Sequence, residues 1–148
     1  MTSDSCENNE KKLVIKGILC LEDARITQDC GADAVVISNH GGRQLNFAES
    51  TISQLPAIRK AVGPEFCVMI DGGFRRGSEI VIALGLGASC VLLGRAYALG
   101  LSAGGQSGVE KAIDILADEI KISLKLMGLN STAELQKNGA ECVKRIGV

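Results

Sequence analysis

Short apolar runs alternate with amphipathic segments along most of this chain. The apolar runs, each long enough for one strand, cover residues 13–17, 34–38, 67–71 and 89–93. The segments between them have helical composition or spacing and cover residues 22–30, 51–61 and 78–86. Apolar strands that alternate with helices through short connections predict a parallel sheet covered by helices.

The connections support a repetitive β/α architecture. Gly31-Ala32-Asp33 and Gly87-Ala88-Ser89 form the same turn from a helix into a strand, as expected for repeated units. Four such units are half of a (β/α)8 barrel, which usually needs about 250 residues. The predicted fold class is therefore α/β, half of a TIM barrel followed by C-terminal helices.

The helical end of the chain begins with a segment over residues 109–127. One stripe at spacings of three and four predicts its core-facing side, namely Val109, Ala112, Ile113, Leu116, Ile120, Leu124 and Met127. A narrower stripe of Ile115, Ile122 and Leu126 is interpreted as packing against a neighbouring helix rather than as a subunit contact. A last short helix is predicted over residues 131–137.

The two ends of the chain are expected to lie outside the folded domain. Residues 1–12 are polar, carry mixed charges and show no periodicity, so they are interpreted as a disordered leader. Residues 138–148 are interpreted as a tail, which leaves residues 13–137 as one partial domain.

Composition narrows the function. The 148 residues are 46% hydrophobic and 22% charged with a net charge of −1, which is typical of one soluble globular unit. Only 3% are aromatic and none is tryptophan, which disfavours a nucleic-acid partner. No apolar run reaches the roughly 20 residues of a transmembrane helix, and no signal peptide is recognised. A cytoplasmic location is expected, with attachment to the inner membrane face as an alternative.

The cysteines give no sign of a metal centre. Six are present, but no two of them form a C-x-x-C pair and none clusters with the histidine. Most lie inside apolar segments, so they are expected to be free and buried thiols.

Candidate chemistry follows the second predicted strand. His40 is the only histidine of the chain, and Gly41, Gly42 and Arg43 come directly after it. Histidine side chains titrate near neutral pH, and a guanidinium can hold a carboxylate through two parallel hydrogen bonds. This pair suits a substrate that carries an acid group next to a C–H or O–H that loses a proton.

Glycine-arginine loops follow the third and fourth strands. The first loop runs Asp71-Gly72-Gly73-Phe74-Arg75-Arg76-Gly77, and the second is Gly94-Arg95. In β/α barrels the loops after the last two strands commonly bind phosphate, because glycine frees the backbone N–H groups and arginine neutralises the charge. We favour a phosphate site over turn-forming glycines with surface arginines.

The stretch Ser38 to Gln44 resembles the signature of the FMN-dependent L-2-hydroxy-acid dehydrogenases and oxidases, a family that includes glycolate oxidase, lactate oxidase, flavocytochrome b2 and mandelate dehydrogenase. The resemblance runs from about Leu13 to about Gln136 and covers only the C-terminal half of the family's barrel. It implies the cofactor FMN and the oxidation of an L-2-hydroxy acid to the 2-oxo acid.

The resemblance also implies roles for single residues. His40 is the base that removes a substrate proton while a hydride or an electron pair passes to the flavin, and Arg43 holds the substrate carboxylate. Lys16 lies near the N1 and O2 edge of the flavin. The remaining cofactor-binding residues implied by the resemblance are Ser38, Asp71, Gly72, Gly73, Arg75, Gly94 and Arg95.

The chain departs from the family in two ways. Asn46 stands where an aspartate is usual. The family's first four strands are missing, with the tyrosine that contacts the substrate, the aspartate that orients the histidine and the groups that cover the flavin ring. A homo-oligomer, or association with the missing half barrel, is therefore expected.

Two other functions remain open. The chain could be a truncated, catalytically inactive fragment that binds flavin or phosphate. It could also belong to a different FMN barrel, similar to type 2 isopentenyl diphosphate isomerase or IMP dehydrogenase. The spacing from His40 to Arg43 disfavours this last reading, because those chemistries do not need a histidine-arginine clamp.

Overall fold

The computed structural model describes residues 11–143, and its centre is one parallel sheet of four strands. The strands are β1 (Val14–Ile18), β2 (Ala34–Ile37), β3 (Cys67–Ile70) and β4 (Cys90–Val91). They lie side by side in sequence order, and every neighbouring pair is parallel. The predicted α/β architecture with four strands is confirmed.

Helices connect the strands and continue the chain after β4. They are α1 (Leu21–Asp29), α2 (Thr51–Val62), α3 (Gly77–Gly85), α4 (Arg95–Leu126) and α5 (Thr132–Cys142). A single 3-10 turn, His40–Gly42, follows β2. In the described part of the chain no helix is long and apolar enough to cross a membrane.

The core lies between the sheet and the helices. Val35, Ile37, Val68 and Ile70 alternate along β2 and β3, and each is completely buried. Because side chains of a strand point alternately to its two faces, these four residues share one face. They form one apolar cluster with residues of all five helices, namely Ala24, Leu55, Ile58, Val62, Ile80, Val81, Ala83, Leu84, Leu116, Leu124 and Leu135.

Helix α4 is longer than the predicted segment and is broken. It starts at Arg95 instead of Val109, and its backbone leaves helical geometry at Gly104 and Gly105. The two limbs contact each other at Gly100 and Gly108, where a Cβ on Gly100 would lie 2.5 Å from the carbonyl oxygen of Gly108. The part of α4 before the break was not predicted from the sequence, because its glycines interrupt the apolar spacing.

The two predicted stripes of α4 meet different outcomes. Leu116 and Leu124 are buried, which confirms the centre of the core-facing stripe, but Ile113 is 52% exposed. The second stripe was wrongly assigned to a neighbouring helix, because Ile115, Ile122 and Leu126 are 47%, 58% and 84% exposed. Spacing along a helix identifies an apolar face but not whether the fold supplies a partner for it.

Helix α5 extends beyond the expected boundary at residue 137. It reaches Cys142 and packs against α3, where Gly85 and Gly139 are in backbone contact. The last residues, 144–148, and most of the expected leader lie outside the described residues. Lys12, at the end of that leader, donates a hydrogen bond of 2.8 Å to Asp33.

The prediction that the cysteines are free holds for the five whose placement is described, but the prediction of burial is wrong for most of them. Cys30, Cys90 and Cys142 are exposed, and Cys20 and Cys67 are half-buried. Cys30 lies at the end of α1 and Cys90 lies on β4, the last strand of the sheet. Their apolar neighbours in sequence predicted burial, but no other element covers these two positions within the described residues.

Candidate functional site

The carboxyl ends of the four parallel strands meet at one edge of the sheet, and a cleft of about 550 Å³ opens there. Every residue proposed for the site from the sequence lines this cleft except Ser38, namely Lys16, His40, Arg43, Asp71, Gly72, Gly73, Arg75, Gly94 and Arg95. The fold thus brings together groups that are up to 79 positions apart in sequence, from Lys16 to Arg95.

A polar network joins the ends of the first three strands beneath the cleft. The Lys16 ammonium donates to the Ser38 hydroxyl at 2.8 Å and pairs with Asp71 Oδ2 at 2.8 Å. Ser38 is completely buried, which is why it supports the lysine without lining the cleft. Two oxygens, from the residues directly after β2 and β3, thus hold the ammonium charge in one place.

The Asp71 carboxylate is only half satisfied. Its Oδ1 atom is buried and has no hydrogen-bond partner within the described residues. The backbone carbonyl of Asp71 accepts a hydrogen bond from Thr51 Oγ1, which fixes the loop that carries it. Buried polar atoms are nearly always paired, so Oδ1 is a ready acceptor for a donor group of a ligand.

The turn after β2 presents the imidazole at the cleft. His40 adopts a left-handed φ of +54°. Its backbone N–H donates to Ser38 Oγ at 3.2 Å, and Asn39 Oδ1 accepts from the Gly41 N–H at 3.0 Å. Non-glycine residues are uncommon in this region, and those that adopt it cluster at functional sites.

Arg43 lies one residue beyond the 3-10 turn and shares the cleft with His40. A second, more open depression lies beside the cleft and is lined by Lys16, His40, Arg43, Gln44 and Asp71. Besides the ion pair of Lys16 and Asp71, this wall carries the Arg43 guanidinium and the His40 imidazole, which suit a small anion such as a carboxylate.

Carboxylates already occupy the N-terminus of α3. The backbone N–H groups of Arg75 and Arg76 donate to Glu79 Oε2 at 2.7 and 3.1 Å. The Gly77 N–H donates to Glu119 Oε2 at 2.6 Å, and this bond, followed by that from the Arg76 side chain, lowers the pKa of Glu119. This helix end is therefore closed to a further anion.

The N-terminus of α4 is open by comparison. Gly94 is its N-cap, and the first intrahelical bond of the helix runs from Ala98 to the Gly94 carbonyl. Among the described residues, nothing accepts from the backbone N–H groups of residues 95–97. Unpaired N–H groups at the positive end of a helix dipole are a favourable place for a phosphate.

Sequence reasoning missed several residues of the site. Phe74, Leu92 and Leu93 form the apolar part of the cleft wall. The two leucines were assigned to the fourth strand, which ends earlier, at Val91. Their position at a strand end was the available signal, but an apolar side chain there also suits an ordinary core.

Together, the β/α sheet and the cations at its carboxyl edge form the arrangement that β/α-barrel enzymes use for their active sites, and this arrangement suits anionic ligands. The profile of the family described as FMN-dependent dehydrogenase matches residues 5–142. The chain belongs to this family.

Two named relatives of this chain are L-lactate dehydrogenases. An L-lactate dehydrogenase of Caulobacter vibrioides is 47% identical over 136 residues, which cover 91% of this chain and 36% of the relative. An L-lactate dehydrogenase of Xanthomonas campestris pv. campestris is 46% identical over 133 residues, which cover 90% of this chain and 34% of the relative. The chain thus spans about a third of the length of these relatives.

Solved structures give the same picture of the fold. A mandelate oxidase with benzoyl-formic acid matches with a TM-score of 0.83 and 42% identity over 86% of this chain and 38% of that one. A soluble mutant of the membrane-associated (S)-mandelate dehydrogenase from Pseudomonas putida matches with a TM-score of 0.82 and 45% identity, over 86% and 36%. The prediction of a partial TIM barrel is confirmed.

Proposed function

We propose that the chain carries the FMN phosphate site, the base and the carboxylate clamp of an enzyme that oxidises an L-2-hydroxy acid to the 2-oxo acid. One observation carries this proposal, which is that His40, Arg43, Lys16 and the two glycine-arginine loops line a single cleft. The activity belongs to a complete barrel, of whose eight strands residues 11–143 form four.

Three features of the cleft fit the parts of FMN. The open N-terminus of α4, with Arg75 and Arg95 beside it, suits the phosphate. Asp71 Oδ1, which has no hydrogen-bond partner in the described part of the chain, suits a hydroxyl of the ribityl chain. The Lys16 ammonium suits the flavin edge that gains negative charge on reduction. Because carboxylates pair with the N–H groups at the start of α3, the proposal uses the N-terminus of α4 for the phosphate.

The chemistry divides between the cofactor and the chain. Bound FMN supplies the two-electron acceptor for the oxidation. Arg43 binds the substrate carboxylate and so orients the carbon that bears the hydroxyl. His40 takes the proton that the substrate releases at this carbon or its hydroxyl. The left-handed turn after β2 holds both side chains at the same cleft wall.

The alternative is a truncated fragment that binds flavin or phosphate but is catalytically inactive. It is favoured by the coverage of only about a third of the relatives. The residues proposed to bind phosphate lie in the loops that follow β3 and β4, so they do not depend on further strands of the barrel. A fragment of this kind would keep cofactor binding and lose turnover.

Visible absorption separates the two functions. The purified chain is incubated with FMN, passed through gel filtration and then mixed anaerobically with L-lactate, L-mandelate or glycolate. Retained flavin that is bleached by one acid supports the enzyme, whereas retained flavin that none of them bleaches supports the fragment. A colourless protein contradicts both functions for the chain alone.

Variants make the same experiment specific. Arg95→Met removes a cation at the phosphate, and we expect at least about tenfold weaker FMN retention from the loss of a charge-assisted bond of ~1.5 kcal/mol. Arg25→Met, at an exposed position of α1, is the matched control and should retain FMN as the parent does. His40→Ala should retain flavin but abolish bleaching.

The expected partners, besides the small 2-hydroxy acid, are a second copy of the chain or the missing half barrel. Within the described residues, the outer edges of β1 and β4 pair with no strand, and unpaired edges invite association. Light scattering should report a dimer or a larger species; a monomer that unfolds cooperatively would count against this. Cell fractionation should find the chain in the cytoplasm or at the inner membrane face.

A further inference from the structure

The first strand contains an irregularity directly below the proposed base. Lys16 pairs with Val36 and Ile18 pairs with Ile37, so Gly17 is an extra residue on β1 with no partner of its own on β2. This is a β-bulge, and the glycine in it adopts a φ of +101°.

The His40 imidazole lies against the bulge. A Cβ added to Gly17 would lie 2.8 Å from His40 Cε1, 3.6 Å from Nε2 and 3.8 Å from Nδ1. The first distance is shorter than real Cβ contacts, so the ring occupies the place where any side chain at position 17 would go. Within the described residues, no hydrogen bond holds either imidazole nitrogen.

We propose that Gly17 is a positioning residue for His40, because its bare backbone forms the surface on which the imidazole rests. The inference depends on the proposed function only in taking His40 as the base. A methyl group at position 17 would displace the ring from the cleft wall and move its nitrogens away from the substrate hydroxyl. The bulge comes directly after Lys16, so it affects the backbone position of Lys16 as well as the contact with His40.

Backbone strain is the competing explanation, since a φ of +101° alone favours glycine. Gly31 separates the two effects. It also has a left-handed backbone, with a φ of +82°, but a Cβ there would meet no atom within 4 Å. Gly31→Ala therefore introduces the strain without a contact, and Gly17→Ala introduces both.

The test uses the fact that the chain has a single histidine. Its imidazole Cε1–H gives one resonance in a proton-carbon NMR spectrum, without FMN or substrate. We expect Gly17→Ala to shift this resonance and Gly31→Ala to leave it in place. A resonance that Gly17→Ala does not move would overturn the proposal, whatever the fate of the proposed function.

A double-mutant cycle adds a second readout and covers the case of poor folding. We expect Gly17→Ala to lower the melting temperature less in a His40→Ala background than in the parent, because the ring that it displaces is then absent. Gly31→Ala should lower it equally in both backgrounds. An equal loss for Gly17→Ala with and without His40, including failure of both variants to fold, would refute the contact.

Discussion

Arg59 should contribute more to stability than any other single charged side chain at the edge of the sheet opposite the cleft. Its Nη1 donates to the carbonyls of Gly63 and Phe66 at 2.6 and 2.7 Å, and its Nε donates to the Gly87 carbonyl at 2.8 Å. Burial lowers the pKa of this guanidinium, yet arginine remains charged at neutral pH. One side chain thus fixes the loops that lead into β3 and β4.

The perturbation is Arg59→Met, which keeps an unbranched apolar stem against Gly87 and removes the donors. A hydrogen bond to a charged group contributes roughly 1.5–3 kcal/mol when it is well buried. Arg59 is only about half-buried, so we take ~1 kcal/mol for each of the three short bonds and expect a loss of about 3 kcal/mol. Domains unfold with only about 5–15 kcal/mol in total.

The assay is urea unfolding followed by circular dichroism, with Arg25→Met as the control. Arg25 makes one long bond of 3.4 Å, to the Ala61 carbonyl, and is exposed, so its replacement should change the unfolding free energy by under about 0.5 kcal/mol. Arg59→Lys should fall between the two, because an ammonium cannot reach three carbonyls. A loss below about 1 kcal/mol for Arg59→Met would refute the assignment.

Three further predictions follow from other contacts. The pKa of Glu119 is lowered from 4.5 by the Gly77 N–H and by Arg76, so its stabilisation is complete above pH 4.5 and is lost as the pH falls through the lowered value. The stability gap between the parent and Glu119→Gln should therefore close in acid; a constant gap in urea titrations would contradict this. Leu135 is completely buried, so Leu135→Ala should cost about 3 kcal/mol, whereas Leu126→Ala, at an 84% exposed position, should cost under about 0.5 kcal/mol. FMN at about 100 times its dissociation constant should stabilise the chain by roughly 2.7 kcal/mol in thermal unfolding. The same concentration of riboflavin, which has no phosphate, should stabilise it less; equal stabilisation by the two ligands would exclude a phosphate site.

The sequence predicted the sheet, and the meeting of the candidate residues at one edge of it, for a physical reason. Continuous apolar strands and strand-end glycines are local patterns, and a parallel sheet brings its carboxyl ends to one edge whatever the details of packing. His40, Arg43 and Lys16 could therefore be assigned to one cleft without coordinates.

What the sequence could not predict depends on contacts between distant segments. The break at Gly104 and Gly105 depends on how the limbs of α4 pack, and the exposure of Ile122 depends on the absence of a covering element. Gly17 was read as the end of a strand, because the bulge exists only in the register of β1 against β2. The sequence also could not show that Glu119 accepts the Gly77 N–H at the start of α3, because the two residues are 42 positions apart.

The two edges of the sheet differ in how completely their polar groups are paired, and this difference matches the proposed function. At the edge opposite the cleft, Arg59 and the carbonyls around it satisfy one another. At the cleft edge, and within residues 11–143, Asp71 Oδ1 has no hydrogen-bond partner and the first N–H groups of α4 have no acceptor. Unpaired polar groups lower stability, and a ligand that pairs them removes this cost. We therefore expect FMN, bound at the cleft edge, to stabilise the chain. Replacement of Arg59, whose hydrogen bonds lie at the opposite edge, should destabilise it.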